Sequence, residues 1–80
     1  MAPPRHWGEF LKRRRLSLGK TIEQLSGEVD LMEGAIREVE SEERPGVDLV
    51  LAQVVRWVEA LALPREYVVM LTDSAGAKAE

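Results

Sequence analysis

The sequence predicts an all-α domain of five short helices. Apolar residues recur at helical spacing. Two capping-box signatures, Thr21 with Gln24 and Asp30 with Glu33, stand close together. Gly19, the Pro45-Gly46 pair and Pro64 punctuate the periodic stretches where helices have to stop or start.

The 80 residues suffice for one domain with one modest core. Such a chain buries only roughly 60% of the surface its unfolded form exposes, so its stability margin is narrow. There is no cysteine, which excludes disulfides and thiolate metal sites. No apolar run approaches the ~18 residues that would span a bilayer, and Met1-Ala2-Pro3-Pro4 has no apolar leader. The expectation is a soluble, cytoplasmic protein with an N-terminal arm at 1–5, a folded domain at 6–71 and a C-terminal tail at 72–80.

The first helix starts at Trp7, with Trp7, Phe10, Leu11 and Leu18 facing inward, Leu16 on a neighbouring face and Gly19 as its stop. Lys12-Arg13-Arg14-Arg15 spread around it and cannot all face one partner. The Thr21 capping box opens a second helix with Ile22, Leu25 and Val29 on one side. Asp30 is expected to cap a third, from about Leu31 to Ser41, with Ala35, Ile36 and Val39 inward. Two caps so close leave room only for a tight turn, which is the sequence form of a helix-turn-helix.

After a loop at Glu42-Glu43-Arg44-Pro45-Gly46, Asp48 caps a fourth helix running to about Leu63. Leu51, Val54, Val58 and Leu61 make one stripe, and Val50 and Trp57 lie on another flank. A helix apolar on two sides is buried on two sides. The second flank is open to two readings, a dimer interface or a place in the core. Pro64 begins a short fifth helix through Tyr67, Val68 and Leu71.

The stretch from Lys12 to Leu25 resembles the opening of the Cro/C1-type (Xre) helix-turn-helix family, with its Arg-x-x-Leu-Gly-Leu-Thr-Gln-x-x-Leu pattern. Val29 to Glu40 is similar to the family's Ala-Gly-Val-Ser-x-x-x-Ile-x-x-Ile/Leu-Glu. After a loop about three residues longer than usual, Arg56-Trp57-Val58-Glu59-Ala60-Leu61-Ala62 resembles Arg-Leu-Ala-Glu-Ala-Leu-Gly. The resemblance covers Trp7 to Leu71 and implies a five-helix phage-repressor-like fold. It further implies a partly buried ion pair, Arg15 with Glu40, clamping the first helix to the third. It also implies a homodimer that binds double-stranded DNA through Ile22, Met32, Glu33, Gly34, Arg37 and Arg44.

The charges depart from that pattern. Net charge is −3, unevenly distributed. Residues 1–20 carry Arg5, Lys12, Arg13, Arg14, Arg15 and Lys20 against Glu9, whereas residues 21–59 carry ten acids against Arg37, Arg44 and Arg56. Affinity for DNA comes largely from neutralising phosphates, and acids on the reading face weaken that term. Arg5, Arg13, Arg14 and Lys20 would compensate if they border the groove. Two functions follow: a DNA-binding transcriptional regulator, or an adaptor whose acidic third helix binds another protein by electrostatic complementarity, such as an anti-repressor, inhibitor or polymerase-associated factor. Catalysis is not expected. His6 is the only histidine, the serines have no base nearby in sequence, and no cluster has metal-ligand or phosphate-loop spacing. No cofactor is expected either.

Overall fold

The computed structural model describes residues 6–41 and 50–75, and every element among them is a helix: α1 (Trp7–Ser17), α2 (Ile22–Val29), α3 (Glu33–Ser41), α4 (Leu51–Ala60) and α5 (Glu66–Ala75). This is the five-helix, all-α architecture expected, and it is compatible with a small helix-turn-helix domain. The arm at 1–5 and most of the loop before α4, with Asp48, lie outside the described residues.

α1 ends because Gly19 takes φ +69, which only glycine adopts without steric cost. Gly19 N–H then donates to Leu16 O at 3.0 Å and Lys20 N–H to Arg15 O at 3.1 Å. α2 begins with both halves of the expected capping box. Thr21 Oγ1 accepts from Gln24 N–H at 3.0 Å, and Gln24 Oε1 accepts from Thr21 N–H at 2.8 Å.

The next junction differs from expectation. Asp30 does not cap α3; it closes α2 in the left-handed region, at φ 62 and ψ 48. Its N–H donates to Ser26 O at 3.0 Å, Leu31 N–H reaches the same carbonyl at 3.3 Å, and Ser26 Oγ donates to Leu31 O. A short carboxylate side chain tolerates this conformation, and one left-handed residue reverses the chain within the few positions available. The same residue cannot also hold the extended φ/ψ of an N-cap, so α3 starts at Glu33 rather than Leu31. A continuous rod over residues 21–40 would measure about 30 Å, more than the longest dimension of 26 Å.

α4 is shorter than expected at its C-terminal end. At its start Val50, not the expected Asp48, is the N-cap, and its N–H donates to Gln53 Oε1 at 3.2 Å. It stops at Ala60 instead of Leu63 because Ala62 turns left-handed at φ 54. Ala62 N–H donates to Glu59 O and Leu63 N–H to Val58 O, both at 3.0 Å, which is a Schellman closure. The position matches the glycine of the family pattern. Ala62→Gly is therefore expected to raise stability by about 0.5–1 kcal/mol, once the steric relief is offset by glycine's greater unfolded-state freedom. Thermal melting checks it. α5 runs to Ala75, so residues 72–75 of the expected tail are helical, and 76–80 lie outside the described residues.

The core is formed by Leu11, Leu25, Val29, Ile36, Val54, Trp57, Val58, Leu61 and Leu71. α1 packs on α3, α2 on α3 and α4, and α4 on α5. Trp7, Phe10 and Tyr67 join the start of α1 to α5. The Phe10 and Tyr67 rings stack at 5.4 Å, with Trp7 edge-on to both. Leu18, expected inside, lies partly exposed, because Gly19 turns the chain away one residue later.

Candidate nucleic-acid interface

Arg15 and Glu40 meet as a two-pronged pair. Arg15 Nε donates to Glu40 Oε2 at 2.8 Å and Nη2 to Oε1 at 3.0 Å, with the side chains only 7% and 4% exposed. Arg15 Nη1 donates to Lys20 O at 2.8 Å. One guanidinium thus ties α1 to the last turn of α3 and to the turn that launches α2. Its pKa is raised, first by the hydrogen bond to Glu40 and further by that carboxylate's charge, while burial opposes both.

Pinned along its inner edge by Ile36 and Glu40, α3 presents the opposite edge outward. Met32, in the turn just before α3, is 82% exposed, and Gly34 and Arg37 are exposed as well. Glu33 is half-buried and accepts from Arg37 Nη2 at 3.3 Å, one helical turn along. Ile22 is half-buried and packs on the core instead of projecting from α2. Between α1, α2 and α3 lies an open groove of about 590 Å³, with Leu16 and Ile22 among its walls and Glu23, Glu33 and Arg37 beside them. Arg44 lies outside the described residues.

The cations of the N-terminal segment are placed differently from what their clustering suggests. Arg14 Nε donates to Leu61 O at 2.8 Å and Nη2 to Ala62 O at 3.3 Å. Lys20 Nζ donates to Ala60 O and to Glu28 Oε1, each at 2.7 Å. Both therefore cover carbonyls at the end of α4, where the helix dipole favours positive charge. Arg13 pairs with Glu9 on the exposed side of α1 at 2.6 Å. The sequence offers Arg13, Arg14 and Lys20 as phosphate contacts only on condition that they border the groove, and it gives no sign of the capping roles of Arg14 and Lys20. Their partners lie 47 and 40 residues away, beyond any local signal.

No family model and no curated protein matches this chain.

The question over Val50 and Trp57 is resolved for one of them. Trp57 is 0% exposed and sits in the core, so it offers no surface to a second copy. Val50 is half-buried at the start of α4. Ser26, which fastens the turn between α2 and α3, was not singled out from the sequence, where one serine inside a helix carries no distinguishing pattern. Among the described residues no group of three or more His, Cys, Asp or Glu is placed to hold a metal ion, and no helix is long and apolar enough to cross a membrane.

Proposed function

We propose that this chain is a Cro/C1-type (Xre) helix-turn-helix regulator that acts in the cytoplasm and lays α3 in the major groove of double-stranded DNA. The observation carrying this reading is the presentation of α3. A buried ion pair holds its inner edge while Met32, Gly34 and Arg37 stand clear of the domain. Met32 suits apolar contact with a thymine methyl group, and Arg37 suits the O6 and N7 acceptors of guanine. At the start of α2, where Ile22 has no polar side-chain atom, first-turn backbone N–H groups supply the phosphate contact. A homodimer would set two copies of α3 about 34–36 Å apart, one turn of DNA. Light scattering coupled to size exclusion tests that state.

Binding to duplex is measured by fluorescence anisotropy at low salt. Arg37→Ala is expected to lose about 1–3 kcal/mol at the preferred site and to relax sequence preference there. A uniform loss over all sequences would assign Arg37 to phosphate instead. Absence of binding to any duplex at about 100 μM protein, the weak end of ordinary non-specific affinity, would overturn the reading.

One observation favours a second function. Arg14, Arg15 and Lys20 are all engaged within the fold, and Glu23 and Glu33 flank the groove. A surface of that kind suits an adaptor whose acidic helix docks on a basic protein partner.

A further inference from the structure

Resting on the DNA-binding reading, we propose that Glu33 and Arg37 act as one reading unit that selects a C·G base pair, with Gly34 clearing the approach. The two side chains already touch at 3.3 Å, both line the groove, and both remain substantially exposed at 43% and 62%. Their single hydrogen bond leaves the second carboxylate oxygen and other guanidinium N–H groups with capacity. In the major groove a C·G pair presents the cytosine N4 donor next to the guanine O6 and N7 acceptors. A carboxylate adjoining a guanidinium is the complement of that edge: Glu33 accepts from N4 and Arg37 donates to O6 and N7.

Pairs that set guanine or thymine against Glu33 are rejected by the same carboxylate, and an A·T pair, whose N6 could serve Glu33, offers Arg37 only thymine O4 in place of O6 and N7. Where guanine O6 or thymine O4 faces Glu33, two acceptors oppose each other, and discrimination gains a repulsive part. The pair has no net charge, so it adds little counterion release. Its contribution to binding therefore depends on sequence more than on salt.

Gly34 is an independent sign of close approach. It lies in the first turn of α3 between the two residues, it is exposed, and a Cβ built there meets no atom within 4 Å. Packing does not require a glycine, and alanine is the better helix former. An unencumbered backbone on the outer edge of α3 suits a base edge brought against it.

The test is selection of bound duplexes from a randomised pool with the full chain, followed by anisotropy on the selected site. A C·G pair at one position is expected, with roughly ten- to hundredfold weaker binding when it is changed. Glu33→Gln is expected to lose that preference while binding random duplex more tightly, with a salt slope steeper by about one as Arg37 is released to phosphate. Gly34→Ala is expected to melt at a higher temperature yet bind the selected site more weakly. On unaltered protein, N4-methylcytosine, whose methyl group replaces the exposed amino hydrogen, and 7-deazaguanine are each expected to weaken binding. This last arm holds even if a variant fails to fold. A selected site whose affinity is indifferent to both modified bases, or Glu33→Gln retaining the C·G preference, overturns the proposal and leaves DNA binding standing. An empty selection overturns both.

Discussion

Glu40→Gln is expected to destabilise the domain by about 3–5 kcal/mol, because it leaves the Arg15 guanidinium buried and charged without its counter-ion. Glutamine keeps the shape and one acceptor oxygen, so the loss reports the charge and the second prong. In a domain of this size each kcal/mol lowers Tm by ~4–8 °C, and the midpoint falls by more than about 10 °C. Denaturant unfolding or thermal melting measures it; an unchanged Tm would falsify the clamp. Arg15→Lys is expected to fail similarly, since an ammonium cannot span both carboxylate oxygens and Lys20 O. The double variant Arg15→Met with Glu40→Leu is expected to lose far less than the sum of the single losses, because no charge is then stranded.

The pH dependence follows from the direction of the Arg15 shift. A group whose folded pKa is raised above its unfolded value contributes fully below the unfolded value, which for a guanidinium lies far above neutrality, and its contribution fades only as pH climbs through the folded value. On the Arg15 side the clamp is therefore constant throughout the neutral range.

Trp57→Ala is expected to be as damaging, at about 3–5 kcal/mol, by a different route. Trp57 is the largest of the fully buried side chains and lies in the middle turns of α4, among Leu11, Leu25, Val54 and Leu61 in the core cluster. Its removal opens a cavity that four short helices cannot all close. Because no surface is involved, the loss is expected in unfolding free energy at every protein concentration. A loss that vanished on concentrating the protein would point to a role between copies instead. Trp57→Phe is expected to recover part of the loss, since the indole N–H has no acceptor among the described residues and its deletion leaves none of them unpaired.

Both effects bear on the proposed site through position. Arg15 and Glu40 set where α3 stands relative to α1, and Trp57 sustains α4, against which α2 packs. Neither touches the outer edge of α3. Variants that fold but shift α3 are expected to weaken binding without changing which base pair is preferred, whereas Glu33→Gln changes the preference.

The candidate site was partly legible before the fold was known. Arg37 falls off the inner edge that Ile36 and Glu40 occupy, a matter of helical period, whereas Met32, named by its position in the family pattern, is exposed because it stands in the turn before α3 begins. Ile22 was named by its position in the family pattern, but it packs on the core, since an apolar side chain at the first position of α2 gains more from burial than from projecting. Asp30 misled for a definite reason. The signature of an N-cap and the tolerance of a left-handed C-cap belong to the same short carboxylate residue, and spacing alone does not tell them apart.

Residue order by itself determined the helical class, the capping box at Thr21, the stop at Gly19 and the periodic faces, all of which depend on neighbours a few positions away. The tertiary structure alone decided that Arg14 and Lys20 cover the end of α4, that Trp57 is interior, and that Arg37 leans on Glu33 at the edge of the groove between α1, α2 and α3. The physical reason is reach. A long cationic side chain has many acceptors within its length, and which one it takes is settled only when helices distant in sequence have packed.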